Sequence, residues 1–187
     1  MSYDIYCFRP SSNSPSLREA RAVVESEEVG DKPDDASSLE TKRKTVNALT
    51  DYNPRLEPFQ FDYTRLARDL KISEEQARRQ FAHIELNPPE GDPAIQLTVF
   101  SDHVSINFPY WYTGPEADTL FDQLEDYLRV IREAVGYFAF DPQTDRVFDP
   151  AKESLGSHDS YDRIAEDLPA IIARELKKEQ KPWWKFW

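Results

Sequence analysis

Three histidines, His83, His103 and His158, carry what acid–base or metal chemistry the chain offers, and His83 and His103 each have a carboxylate close by in sequence. Glu85 follows His83 by two residues, and Asp102 directly precedes His103. If the strands that hold them are neighbours, the two pairs converge into an acid–base or metal-binding cluster on a sheet edge. A histidine satisfied in a turn is the plainer reading of each. The sequence contains no HExxH, no CxxC, no GxSxG and no glycine-rich phosphate loop. Five glycines in 187 residues also leave few places where backbone can close on a phosphate. A weak metal-binding or hydrolase site near His83 and His103 therefore stands as an alternative, and the balance leans away from catalysis, with no catalytic residue, metal ligand or cofactor assigned.

Two further motifs invite a functional reading. Asp141, Asp145 and Asp149 are carboxylates spaced by four, but a calcium loop needs ligands at alternate residues and a glycine at its sharp turn. Asp141-Pro142 reads better as the exit from a strand. The segment 63–81 resembles a helix-turn-helix: Leu66, Ala67, Leu70, Ile72 and Ala77 fall where two helices would pack, and Ser73 would cap the second. That resemblance implies a helix in the major groove, with Gln76, Arg78, Arg79 and Gln80 facing bases. Charge argues the other way. Residues 62–81 hold five bases against four acids, and Glu74 and Glu75 sit where a phosphate would lie. A DNA-associated regulator is kept as an alternative, and nucleic acid is not the expected partner.

The elements that would position these residues follow from periodicity. Tyr3 to Phe8 reads as a strand. Ser16 and Glu19 form a capping box for a helix over Leu17, Ala20, Val23 and Val24 that fades near Glu28. A polar linker covers 29–38, and Ser38 is expected to cap a second helix ending before Asn53-Pro54. Residues 55–61 are extended, 62–70 and 74–81 are short helices, and 83–86 is a short strand. Alternation in Ile95, Leu97 and Val99 and in Val104, Ile106 and Phe108, around Ser101-Asp102, predicts a hairpin with one buried face. The strongest helix runs from Glu116 to Val135, with Leu120, Leu124, Tyr127, Leu128 and Ile131 on one side and Gly136 as its stop. Residues 137–140 form a strand against which 146–148 can pair, and a last helix covers about 160–179. The predicted fold is α+β, an antiparallel sheet of four to five strands with helices packed mainly on one face. It comprises one domain over 1–180 and an aromatic tail over 181–187.

Composition restricts the setting and the partner. The chain carries a net charge of −12, with eight acids against two bases over 19–40 and eight against three over 137–167. Such a surface repels phosphate backbones and attracts basic partners. Cys7 is the only cysteine, so no internal disulfide forms; with no basic-then-apolar leader and no long apolar run, the expected location is cytoplasmic and no segment spans a membrane. The last eleven residues reverse the sign, with Lys177, Lys178, Lys181 and Lys185 against Glu179, and carry Trp183, Trp184, Phe186 and Trp187. Those aromatics suit a groove on a partner protein, the chain's own domain, or peripheral contact with a membrane–water interface. Tyr110 and Trp111, after the hairpin, are a second aromatic concentration, read either as core or as a binding patch rimmed by acids. The six residues Trp183, Trp184, Phe186, Trp187, Tyr110 and Trp111 are the candidate partner-binding set.

The opening Ser2-Tyr3-Asp4-Ile5-Tyr6-Cys7-Phe8, the Phe108-Pro109-Tyr110-Trp111 step and Tyr137-Phe138-Ala139-Phe140-Asp141-Pro142-Gln143 together resemble a loose group of small bacterial proteins. Some members of that group are similar to immunity proteins that neutralise toxins passed between competing bacteria. The resemblance implies a bacterial cytosolic protein that acts by binding, and an acidic surface would suit a basic toxin domain. The expected function is a non-enzymatic, immunity-like protein-binding module.

Overall fold

The computed structural model describes residues 2–12, 15–27, 35–156, 161–162 and 165. Seven strands form one antiparallel sheet: β1 (Ser2–Phe8), β2 (Glu57–Pro58), β3 (Ile84–Asn87), β4 (Gln96–Val99), β5 (His103–Pro109), β6 (Phe138–Asp141) and β7 (Arg146–Phe148). Their spatial order is β2-β3-β4-β5-β1-β6-β7, so the first strand lies in the interior of the sheet between β5 and β6. The helices are α1 (Leu17–Glu27), α2 (Ala36–Tyr52), α3 (Tyr63–Leu70), α4 (Glu74–Gln80) and α5 (Pro115–Val135). The class is the expected α+β. Seven strands exceed the expected four to five: the pairing open to 146–148 forms as β7, and β2, two residues long, is too short to show a period.

Strand alternation divides the sheet into two faces. Tyr3, Ile5 and Cys7 of β1 join Leu97, Val99, Val104, Ile106 and Phe108 on one face, where Leu49 of α2 and Leu120, Leu124, Tyr127, Leu128 and Ile131 of α5 cover them. Tyr6 and Phe8 point the other way and meet Phe140 and Ala20, with Leu17, Val23 and Val24 of α1 packed around them. The two longest described helices thus share one face and α1 covers part of the other. α5 carries the chain from β5 to β6 and ends at Gly136, whose φ of 75° places the left-handed cap where a side chain would be strained.

α2 starts at Ala36, two residues before Ser38, because Asp35 is the actual cap. The Asp35 carboxylate accepts from the Ser38 amide at 2.7 Å, and the Ser38 hydroxyl accepts from the Asp35 amide at 2.8 Å. Its core-facing positions are Lys42, Thr45 and Leu49. Lys42 is 3% exposed and its ammonium donates to the Ala82 carbonyl at 3.1 Å, while Thr45 donates to the Thr41 carbonyl at 2.9 Å. Of the expected last helix, residues 161, 162 and 165 are helical; its remainder and the 181–187 tail lie outside the described residues.

Candidate functional site

Both histidine pairs form, on the same face of the sheet. The His83 Nε2 lies 3.3 Å from Glu85 Oε1, and His103 Nδ1 lies 2.7 Å from Asp102 Oδ1. They do not converge. The Phe100 ring stands between them, its centroid 5.1 Å from that of His83 and 4.3 Å from that of His103, stacked on the latter at 12°. Phe61 adds an edge contact to His83 at 5.2 Å, so the imidazoles belong to an aromatic row that runs across β3, β4 and β5. His83 Nδ1 and His103 Nε2 are buried without a hydrogen-bond partner among the described residues. Among the described residues, no group of three His, Cys, Asp or Glu side chains is placed to hold a metal ion.

The three spaced aspartates separate as well. Asp141 is fully buried and accepts from the Tyr3 hydroxyl at 2.8 Å, the Gln143 amide at 2.9 Å and the Thr144 hydroxyl at 2.8 Å. Asp145 pairs with Arg21 at 2.7 Å, which ties the β6–β7 turn to α1. Asp149 receives Arg132 through two bonds of 2.6 and 3.0 Å, and that guanidinium holds its carboxyl well below the usual carboxylate range. Each carboxylate is engaged in joining elements of the fold.

The helix pair expected at 63–81 is present, capped at Ser73. Three of its four candidate base-reading side chains are already engaged. Gln76 accepts from the Ser73 amide at 2.8 Å; Arg78 pairs with Glu74 at 2.7 Å and lies 4.4 Å from the Tyr63 ring; Arg79 pairs with Glu75 at 2.5 Å. Reaching a phosphate or base would require these ion pairs to open.

The aromatic step after β5 divides in two. Tyr110 is 6% exposed and stacks on Tyr161 at 5.4 Å, so of the two proposed partner-contacting residues this one lies in the core. Trp111 is 70% exposed. The Tyr161 hydroxyl fixes the turn from beneath, donating to the Pro109 carbonyl at 2.7 Å and accepting from the Tyr112 amide at 3.2 Å. The Tyr112 hydroxyl accepts from the Ala94 amide at 2.8 Å, which joins this turn to the β3–β4 loop. Trp111 is therefore an exposed indole on a backbone held on both sides. Four side chains of the candidate set, Trp183, Trp184, Phe186 and Trp187, lie outside the described residues. Sequence spacing could not divide Tyr110 from Trp111, because both follow the strand and its alternation ends at the turn.

Burial pushes the phenols of Tyr110 and Tyr161 up to about 12 each. An unfolded tyrosine ionises near 10, so the fold favours the neutral form. Stability is then full below about pH 10 and falls as pH rises from about 10 toward 12, while the unfolded chain ionises first. Urea unfolding at pH 9, 10 and 11 should show this decline, and Tyr161→Phe should make it shallower. A decline of equal slope in that variant would contradict the assignment.

Among the described residues, fold and surface define an α+β protein, a seven-stranded antiparallel sheet with its two longest helices on one face and the Trp111 indole presented at the head of α5. The chain matches no protein-family model, no curated protein and no solved structure. Among the described residues, no helix is long and apolar enough to cross a membrane.

Proposed function

We propose that this chain is a non-catalytic, cytosolic protein-binding module, immunity-like in that its acidic surface engages a basic partner, and that Trp111 anchors the contact. The observation that carries the reading is Trp111 itself: 70% exposed, between a buried Tyr110 and a tethered Tyr112. Such a residue brings a large contact area with little conformational entropy left to lose, which is the property of an interface hot spot. Glu116, Asp118 and Asp122, exposed on the first turns of α5, give its surroundings the sign of the chain's net charge of −12. Long-range attraction of this kind raises encounter rates with basic proteins and discriminates against acidic ones.

Capture from native lysate, in soluble and membrane fractions, tests it with three baits: the full chain, Trp111→Ala, and a chain truncated after Pro182. The full chain is expected to retain a stoichiometric basic protein. Trp111→Ala weakens that complex by about 30-fold or more, the cost of truncating a hot-spot tryptophan, with unfolding unchanged. Loss on truncation would add the tail to the contact. No partner for the full chain, or equal retention by Trp111→Ala, would contradict the reading.

A further inference from the structure

Beside Trp111 lies a cleft of about 520 Å³ between the β3–β4 loop and the head of α5. Pro93 and Pro115 form part of its walls, Tyr112 lines it, and Asp92, Glu116 and Thr119 supply its polar edge. The Trp111 and Tyr112 rings are neighbours, with centroids 6.1 Å apart, so the cleft and the exposed indole form one surface. Asp92 already accepts from Arg55 at 2.8 Å. Glu116 is exposed, lies in the first turn of α5 and has no hydrogen bond or ion pair with any described side chain, so the cleft keeps a carboxylate without a cationic side chain next to aromatic faces.

We propose that this cleft receives an arginine side chain of the partner; this rests on the reading of Trp111 as the anchor. The lining meets each part of that side chain. The three methylenes would lie along Pro93 and Pro115, the planar guanidinium would stack on Tyr112, and its paired N–H groups would meet the Glu116 carboxylate. Lysine fits less well, because a compact, strongly hydrated ammonium gains little from a flat ring or a two-oxygen acceptor. An anionic group would face Asp92 and Glu116, and an apolar segment would strip water from Glu116 with nothing in exchange. A second copy of the chain brings a charge of −12 against −12.

The test is an amide and indole NMR titration of the full chain with N-acetyl-arginine methylamide, with the lysine and glutamate analogues for comparison. The arginine amide is expected to bind in the millimolar range, with shifts confined to residues 91–94 and 111–119, and more tightly than lysine. Glu116→Gln weakens it by about 5-fold or more, since the charge-assisted bonds are lost, whereas Glu133→Gln at the far end of α5 leaves it unchanged. The proposal is overturned by absent shifts, by shifts spread over the acidic surface, by indifference to Glu116→Gln, or by shifts that vary with protein concentration alone, which would give the cleft to a second copy. Failure here with partner capture still lost in Trp111→Ala removes the arginine pocket and leaves the anchor. Arginine binding with capture retained in Trp111→Ala does the reverse.

Discussion

Tyr161→Ala lowers the unfolding free energy by about 3–5 kcal/mol, the range for deleting a buried aromatic ring. Tyr161 is fully buried, stacked on Tyr110 at 5.4 Å, edge-on to Phe121 at 5.2 Å and within 6.0 Å of Tyr3 and Phe108. Tyr161→Phe keeps the ring and removes the hydroxyl, leaving the Pro109 carbonyl and the Tyr112 amide without their shared partner; it costs about 1–2 kcal/mol. The two variants separate packing from the hydrogen bonds in urea unfolding. A loss below about 1 kcal/mol for Tyr161→Ala would mean that residue 161 does not complete the core. Because Tyr161 also holds the turn that presents Trp111, Tyr161→Phe is expected to weaken partner binding more than its stability cost implies.

Arg132→Ala is the second large effect, about 3 kcal/mol, because it leaves a carboxylate that is hard to hydrate with the exposed Lys152, at 3.3 Å, as its remaining ionic partner. Asp149 is 4% exposed, and Arg132 reaches it from the last turn of α5 through two bonds while a third goes to the Gly136 carbonyl at 2.8 Å. The guanidinium also lies 4.5 Å from the Phe138 ring, so one side chain joins α5, its cap, β6 and the segment after β7. The pH dependence has a definite sign. The carboxyl of Asp149 is held below its usual value, so the pair stabilises the fold above about pH 4 and its contribution is lost as pH falls through the lowered value. In Arg132→Ala the buried carboxyl is free to take up a proton instead. The difference from wild type is therefore expected to be largest at pH 7 and to shrink toward pH 3 in urea unfolding. A constant difference would mean that packing on Phe138, and not the charge pair, carries the effect.

The elements were legible where apolar residues keep a period. The hairpin of Leu97 and Val99 with Val104 and Ile106, and α5 with Leu120, Leu124 and Ile131, are read directly from spacing. α2 carries little apolar period because its buried face is built from Lys42 and Thr45 beside Leu49, and a polar side chain that finds an internal acceptor leaves no hydropathy signal. Its true cap, Asp35, was hidden by three further cap-competent residues nearby. β2 was invisible as a strand because the partner that defines it, β3, comes 27 residues later. At the candidate site the same limit applies. Whether His83 and His103 meet depends on Phe100 standing between them, and whether Tyr110 or Trp111 is exposed depends on Tyr161, distant in sequence. Neither fact has a local pattern.

These placements give most of the candidate chemical groups roles within the fold. The histidine pairs are separated by Phe100, the spaced carboxylates join elements of the fold, and the arginines of α4 are paired within their own helix. Among the described residues, Trp111 has no such internal role. Hydrogen exchange on the full chain, free and bound to its captured partner, tests the central claim most directly. Binding through Trp111 and the adjoining cleft predicts new amide protection over residues 89–95 and 110–119, with 63–80 unchanged. Protection confined to 63–80, or to α2 alone, would contradict it.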